Sequence, residues 1–256
     1  MKEKVALFVS DDFFSKYAYK KLIQNYEVYP FSLKKIKNFE TFVLKNTNFN
    51  LLYEFLKKNG IKFILWVGKV NPDIIFKTHN PTIRNLISDL NGLKPERIMK
   101  KISDFFEKNG IKVLPETMIF KEEIAEKKIY TFPLTEEEKK DVKIGFSVLK
   151  NILKYNIGQA VAVKKGMILG IEGIEGTDNF IKRIGKYCKN FVFVKGCGKD
   201  KDLRFDIPVI GLKTVKNLVK AGGKVIAIEA EKTIILQKEK VINECMKNKI
   251  KLIGIK

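Results

Sequence analysis

Residues 50–68 read NLLYEFLKKNGIKFILWVG and carry the clearest fold signal in the sequence. Its first part carries apolar side chains at helical spacing, and Gly60 then ends the helix. The nearly continuous apolar run after Gly60 is typical of a strand buried on both faces. Residues 102–116, ISDFFEKNGIKVLPE, repeat this order with the same KNGIK junction. Helix, glycine and buried strand in succession predict a parallel sheet covered by helices, a Rossmann-like layer.

The beginning of the chain fits the same layer. VALFVS at 5–10 predicts its first strand, and FFSKYAYKKLIQN at 13–25 predicts the helix that follows. No GxGxxG follows this strand, because Ser10, Asp11 and Asp12 stand there. The layer is therefore predicted without a dinucleotide-binding loop.

The pattern changes near residue 133, and the chain is predicted to have three parts. Residues 1–133 form the Rossmann-like domain, and residues 134–157 form a connecting helix with Thr135 as its cap. Residues 158–256 begin with two strands around a tight Lys165-Gly166 turn and continue as alternating helices and strands. The predicted fold class is α/β, with a parallel-sheet domain followed by a mixed α/β domain.

Composition limits the partners of the chain. It has 256 residues, 50 of them Lys or Arg and 29 Asp or Glu, for a net charge of +21. This charge predicts an anionic partner. Lysine is spread along the sequence without a dense basic block, which favours an anionic membrane surface over nucleic acid. No apolar run approaches the roughly 20 residues that span a bilayer, and no export signal is present, so we expect a cytoplasmic protein with reduced cysteines.

The first candidate for chemistry is DKDLRFDIPVIG at 200–211, which contains one of only four arginines. Read as an extended segment that ends its pairing at Pro208, it places Asp202, Arg204 and Asp206 on one face. The apolar residues of the other face anchor the segment to a core and are Leu203, Phe205 and Ile207. The two aspartates could hold a divalent cation while the arginine neutralises a phosphate oxygen, or one aspartate could orient a water. The alternative is a surface salt-bridge ladder.

The second candidate is IEGIEGTDNF at 171–180. A strand ends among its glutamates, its glycines allow close backbone approach, and Thr177 with Asp178 is predicted to cap a helix. Free amides at a helix start favour anions. An ordinary capped helix after a hairpin is the alternative.

Absent motifs narrow the chemistry further. His79 is the single histidine, so a multi-histidine dimetal centre cannot form. GxSxG, P-loop and zinc-ligand spacings are missing as well. A phosphate-processing enzyme made from this chain would need carboxylates and magnesium.

Four segments, taken in order, resemble one family: GQA at 158–160, IEGIEGTD at 171–178, VKGCGKDKDLRFDIPVIG at 194–211 and AIEAEKTIIL at 227–236. They are similar to the bacterial UDP-2,3-diacylglucosamine pyrophosphatases that are unrelated to the metallophosphoesterase with the same activity. In the first half, WVGKVNP at 66–72 resembles the glycine-basic loop of this family.

The resemblance implies a Rossmann-like domain, a C-terminal domain of the family's own fold, and a substrate cleft between them. It implies Mg²⁺-dependent attack of water, with other divalent cations as substitutes, on the diphosphate of UDP-2,3-diacylglucosamine. The products are UMP and 2,3-diacylglucosamine 1-phosphate, an intermediate of lipid A synthesis. It also suggests a homodimer and a cytoplasmic enzyme that is peripheral to the inner membrane.

Site residues follow from the matched motifs. The essential carboxylate of the family falls on Asp206, and the matched substrate-site positions are Gln159, Ala160, Thr177, Asp178, Gly68 and Lys69. Charge adds Lys195 at the substrate, Arg204 in catalysis, and Asp202 in catalysis and as a second metal ligand beside Asp206. The chain departs from the family at Ser10, Asp11 and Asp12, where a glycine cluster is usual.

Two other functions stay open on the sequence. One is Mg²⁺-dependent hydrolysis of another nucleotide-sugar diphosphate. The other is a basic, non-enzymatic adaptor for nucleic acid or acidic lipid, which would cluster its lysines on one face.

Overall fold

The structure is a computed structural model that describes residues 2–37, 39–44, 48–68, 95–155, 157–197, 202, 204–205 and 207–256. The predictions for Lys69, Leu203 and Asp206 fall outside these residues. By contacts the chain divides into two units. The N-terminal unit contains the described part of residues 1–119 together with Asp202, Arg204 and Phe205, and the C-terminal unit contains the rest.

The N-terminal unit alternates strands and helices. Its strands are β1 (Glu3–Phe8), β2 (Tyr26–Ser32), β3 (Phe42–Val43), β4 (Phe63–Trp66) and β5 (Lys112–Leu114). Its helices are α1 (Phe13–Leu22), α2 (Phe49–Lys58), α3 (Pro95–Lys108) and the single turn α4 (Glu116–Ile119).

These five strands form one sheet in the order β3-β2-β1-β4-β5, and every pairing is parallel. Val5 of β1, for example, lies beside Val28 of β2 on one side and Phe63 of β4 on the other. The predicted Rossmann-like layer is confirmed. The order reverses between β1 and β4, and ligands of such sheets bind outside the carboxyl ends of the strands at this switch point.

The repeated KNGIK junction produces the same helix end twice. Gly60 and Gly110 have φ angles of +66° and +78°, which only glycine adopts without strain. After each glycine the chain folds back: the N–H of Ile61 donates to the Leu56 carbonyl and that of Ile111 to the Phe106 carbonyl, both at 2.9 Å. This motif ends the helix and directs the next residues into a buried strand.

Aromatic rings fill the core of the N-terminal unit. The Trp66 ring lies 5.6 Å from that of Phe8 and 5.3 Å from that of Phe31. Phe205 is buried in the same cluster, although it lies far along the chain. The predicted anchoring of Phe205 in a core is confirmed.

The extended reading of residues 202–207 is wrong where the structure describes them. Arg204 lies in a turn and Phe205 in a bend. The Asp202 side chain accepts a hydrogen bond from the Arg204 N–H at 3.0 Å. Such a bond to the backbone two residues on competes with strand pairing, and alternation alone does not reveal it.

The C-terminal unit contains the remaining elements. Its strands are β6 (Ala160–Lys164), β7 (Met167–Ile171), β8 (Val192–Lys195), β9 (Val209–Ile210), β10 (Val225–Glu229), β11 (Ile234–Ile235) and β12 (Lys251–Ile255). Its helices are α5 (Glu136–Ile152), α6 (Gly176–Tyr187), α7 (Leu212–Ala221) and α8 (Lys238–Lys247), with short 3₁₀ turns at Lys121–Glu123 and Leu153–Tyr155.

The main sheet of this unit is mixed, as predicted, with the order β12-β10-β8-β6-β7. β8, β10 and β12 are parallel, while β6 runs antiparallel to both β8 and β7. Strands β9 and β11 form a separate parallel pair. Pro208 was expected to end regular pairing, but its carbonyl accepts from the Ile234 N–H and β9 begins directly after it. Proline lacks only the donor, so its acceptor can start a ladder.

Helix α5 belongs to the C-terminal unit and packs on β6 and β8. Thr135 caps it in a reciprocal capping box with Glu138, which confirms the predicted helix start. The segment before it is tied to the same unit, since the Ala125 N–H donates to the Thr233 carbonyl at 2.8 Å. By contacts, the boundary between the two units lies between residues 119 and 120. The change in sequence pattern lies later, near residue 133.

Candidate functional site

Polar side chains of the C-terminal unit gather at one edge of its main sheet. Lys195 ends β8 and Glu229 ends β10, two parallel neighbours. Because β6 is antiparallel to β8, its first residue, Ala160, pairs with Lys195. β7 is in turn antiparallel to β6, so β7 ends at this same edge. Glu172 follows β7 directly. The carboxyl edge of an α/β sheet is where such folds bind ligands.

Two of these residues form a hydrogen-bonded group with two neighbours. We call this group the edge cluster, and it contains Gln159, Glu172, Thr177 and Lys195. The Lys195 ammonium donates to the Thr177 hydroxyl at 2.8 Å, and this hydroxyl donates to Glu172 Oε1 at 2.8 Å. Glu172 Oε2 accepts from the Gln159 N–H at 3.2 Å. Lys195 and Glu172 are 5% and 6% exposed, so a buried cation and a buried anion are joined through one hydroxyl.

A glycine beside the edge cluster allows its close packing. A Cβ on Gly158 would lie 2.1 Å from the Glu172 carbonyl oxygen, so no other residue fits without moving the backbone. The matched GQA segment therefore has a structural reason for its glycine. Of the predicted substrate residues, the structure brings Gln159, Ala160, Thr177 and Lys195 together here.

Glu229 holds the chain where it leaves β8, and the sequence did not single it out. Its Oε2 accepts from the Cys197 N–H at 2.8 Å, and its Oε1 lies 3.3 Å from the Lys232 ammonium. A Cβ on Gly196 would lie 2.7 Å from Glu229 Oε2, which explains the glycine in this segment. The available signal was a single acid at the end of the buried strand VIAIE.

The start of α6 differs from the prediction. Its N-cap residue is Glu175, without a side-chain cap, so Thr177 and Asp178 lie inside the first turn and the predicted cap is wrong. The two Gly-rich turns before the helix left its first residue ambiguous in sequence. Asp178 instead links two helices, since it accepts from Asn217 at 2.9 Å and pairs with Lys213 at 2.7 Å.

Asp202 and Arg204 belong to the N-terminal unit, where Arg204 contacts side chains of α3. The Arg204 guanidinium bonds both Asp202 oxygens, at 2.7 and 3.1 Å, and also reaches Glu107 at 3.0 Å. Hydrogen bonding to Asp202 raises the pKa of Arg204 above its ordinary value. Burial alone would raise the pKa of Asp202. The hydrogen bonds from Arg204 together have the larger effect, and they hold this pKa below its ordinary value.

The described residues contain no group of three or more side chains that could hold a metal ion. Both oxygens of Asp202 are engaged by Arg204, so a cation would have to displace the guanidinium to bind there. The prediction for Asp206 lies outside the described residues. Magnesium nevertheless requires only one or two protein carboxylates when substrate phosphates complete its shell.

Beside the switch point of the N-terminal sheet, the chain caps the start of α1 with its own carboxylate. Asp12 caps α1, with Oδ1 accepting from the Ser15 N–H at 2.7 Å and Oδ2 from the Ser10 hydroxyl at 2.6 Å. Gly68, with φ +99°, packs so closely that its Cβ would lie 2.3 Å from Ser10 Oγ. A carboxylate thus occupies the helix start where such folds bind phosphate.

The fold and the edge cluster define a two-unit α/β protein with a buried cation at the edge of its C-terminal sheet where β8 and β10 end. The family model of the LpxI N-terminal domain matches residues 17–123, and that of the LpxI C-terminal domain matches residues 126–253. The UDP-2,3-diacylglucosamine pyrophosphatase LpxI of Caulobacter vibrioides is 23% identical over 216 residues, which cover 76% of this chain and 74% of that protein. The chain belongs to the LpxI family, and the resemblance found in its sequence is confirmed.

Within the part of the chain that the structure describes, every helix is too short or too polar to cross a bilayer.

Proposed function

We propose that this protein hydrolyses the diphosphate of UDP-2,3-diacylglucosamine to UMP and 2,3-diacylglucosamine 1-phosphate, a step of lipid A biosynthesis. The Caulobacter relative carries this substrate and activity in its name. The observation that carries the proposal is the buried Lys195 at the carboxyl edge of the C-terminal sheet, inside the region that the LpxI C-terminal domain matches. A diphosphate needs fixed positive charge, and a desolvated ammonium supplies it most effectively.

The proposed roles at this edge follow from the atoms present. Lys195 neutralises charge on a phosphate oxygen, and Gln159 with Ala160 lines the substrate at the start of β6. The first turn of α6, with Thr177, offers backbone N–H groups that point toward an anion. Asp178 keeps this turn in place through Asn217 and Lys213.

We assign the catalytic carboxylate to Asp206, as the family motif implies. It would orient the attacking water and serve as the protein ligand of Mg²⁺. When bound, magnesium neutralises the diphosphate and favours hydroxide formation from water. Asp202 could be a second ligand of the metal only if the Arg204 guanidinium left Asp202 and bonded a phosphate oxygen instead. Carboxylate and phosphate oxygens are both acceptors that a guanidinium binds well.

The test is release of UMP from UDP-2,3-diacylglucosamine by the purified protein, with Mg²⁺ and then with a chelator. The proposal predicts turnover that the chelator abolishes and that Asp206→Asn lowers by about 10²–10⁴-fold, the usual contribution of a general base. Glu136→Gln is the control, because Glu136 is an exposed residue at the start of α5. Unchanged turnover in Asp206→Asn would contradict the assignment of the carboxylate.

The same assay separates the alternative functions. A hydrolase for another nucleotide sugar would release UMP faster from a UDP-sugar without acyl chains. A basic adaptor would release none and would bind DNA or acidic lipid in a salt-sensitive manner.

A further inference from the structure

The Thr177 hydroxyl has no proton left to give to a substrate. A threonine hydroxyl carries one donor proton, and here it goes to Glu172 Oε1 at 2.8 Å. The same oxygen accepts from the Lys195 ammonium at 2.8 Å. The side chain of Thr177 therefore connects a carboxylate to an ammonium.

Glu172 is fixed from several directions. Its two carboxylate oxygens accept from different donors, the Thr177 hydroxyl and the Gln159 N–H. Its own N–H donates to the Ala160 carbonyl at 2.9 Å, and Gly158 packs on its carbonyl oxygen. With 6% exposure, the side chain cannot turn to solvent without breaking these contacts.

The charges of this group depend on one another. A buried ammonium is costly unless an anion and hydrogen bonds accompany it. Glu172 supplies negative charge one hydroxyl away from Lys195, and Thr177 fixes the direction of one ammonium N–H. The position of the Lys195 charge at the edge is therefore set in part by Glu172.

We infer that Glu172 is a positioning residue, which acts through the Thr177 hydroxyl to hold Lys195 at the phosphate position. Glu172 itself touches no substrate. The inference rests on the proposed function, because it assigns Glu172 a role in that reaction.

The main variant is Glu172→Gln, which keeps the size of the side chain. A glutamine presents one acceptor and one NH₂ group, so either the Thr177 hydroxyl or the Gln159 N–H would face a donor. We expect kcat to fall about 10–100-fold, the usual effect of losing a residue that orients a ligand. Charge on phosphate grows in the transition state, so KM should change much less than kcat.

Thr177 provides a pair of variants that separates positioning from packing. Thr177→Ser keeps the hydroxyl and both hydrogen bonds, whereas Thr177→Val keeps the shape and loses them. A packing role would favour valine, since it leaves no cavity. The inference predicts the reverse, with serine near wild-type kcat and valine as slow as Glu172→Gln. The double variant should be no slower than either single one, since both remove the same connection.

The matched control is Glu136→Gln, the same change of acid to amide at an exposed residue of α5. Glu136 pairs with Lys139, and this hydrogen bond lowers the pKa of its carboxyl. We expect its kcat to stay within about twofold of wild type, as for surface charges away from a site. Thermal unfolding of every variant identifies loss of folding, and the Ser and Val pair decides the question if Glu172→Gln does not fold.

The outcomes are distinguishable. Wild-type turnover with unchanged kcat in Glu172→Gln and Thr177→Val would overturn the inference and leave the proposed function standing. Equal losses in Thr177→Ser and Thr177→Val would also overturn it. If wild type releases no UMP, the proposed function fails and the inference fails with it.

Discussion

Arg204 is the residue that ties the returning chain to α3. Its guanidinium joins Asp202 and Glu107, and the neighbouring Phe205 enters the core of the N-terminal unit. Arginine is rare in this sequence, and a lysine could not bond both Asp202 oxygens and Glu107 with one planar group. The structure thus gives the rare arginine a bidentate role toward a carboxylate.

This pair predicts a pH-dependent stability. The pKa of Asp202 is lowered in the folded state, so the unfolded state binds its proton more readily and the stabilisation exists above the unfolded pKa. Arg204→Met should lower the free energy of unfolding by about 1 kcal/mol at pH 7, as for a partly exposed pair. The difference should begin to shrink as pH falls below about 4, where the unfolded carboxyl takes up its proton, and should vanish only below the lowered pKa of the folded state.

Denaturant unfolding at pH 7 and pH 3 measures this difference. Trp66, the single tryptophan, is buried in the N-terminal unit and reports on it by fluorescence. Lys16→Met is the control, because Lys16 pairs with Asp11 in an exposed ion pair at the start of α1, in the same unit. A gap between wild type and Arg204→Met that does not shrink from pH 7 to pH 3 would show that packing, and not the ion pair, is the cause.

Asp141 shows how one helix fixes a turn of the sheet. It is 3% exposed on α5, and its two oxygens accept from the Lys165 and Gly166 N–H groups at 2.8 and 2.7 Å. Both turn residues have positive φ, as a two-residue hairpin turn requires. The turn joins β6 and β7 at the end of β6 opposite Ala160, away from the edge cluster.

Asp141→Ala should therefore destabilise the fold without lowering kcat. Hydrogen bonds to a charged acceptor contribute about 1.5–3 kcal/mol, and the two N–H groups of the turn would lose their protein partner. We expect the free energy of unfolding to fall by about 2–3 kcal/mol while kcat changes by less than about twofold. Lys140→Ala, an exposed neighbour on α5, should leave both quantities unchanged. A large loss of kcat at full stability would contradict this account.

Local signals predicted most elements of the fold. The KNGIK junction, the Thr135 cap and the Lys165-Gly166 turn each specify backbone geometry within a few residues, and all three were predicted. The turn at residues 202–207 was not predicted. Alternating polar and apolar side chains indicate a strand, but a strand forms only where a neighbouring strand pairs with the segment. There the Asp202 side chain binds the backbone instead. The start of α6 was missed by two residues, since glycines at 173 and 176 obscure the first turn.

The edge cluster was only partly predictable, because it depends on the arrangement of the whole C-terminal sheet. Gln159, Thr177 and Lys195 followed from the family motif and from charge. Glu172 and Glu229 became visible only when the antiparallel register of β6 placed the ends of β7, β8 and β10 at one edge. Register between strands distant in sequence is not encoded in local periodicity.

At the scale of the whole molecule, the net charge of +21 predicts peripheral binding to anionic membranes. The protein should sediment with phosphatidylglycerol vesicles at low salt and remain in solution with phosphatidylcholine vesicles. Binding should weaken strongly at 1 M salt, where the screening length falls to about 3 Å. Equal binding to both vesicles, or binding that resists salt, would contradict an electrostatic mechanism.

UDP-2,3-diacylglucosamine is the proposed substrate of this protein. The most direct test of this proposal compares kcat/KM for UMP release from UDP-2,3-diacylglucosamine and from UDP-glucose, with 2,3-diacylglucosamine 1-phosphate measured alongside. We expect UMP and the lipid phosphate to form in equal amounts and the acylated substrate to be strongly preferred. Comparable or higher kcat/KM for UDP-glucose, or UMP without the lipid phosphate, would contradict the proposal.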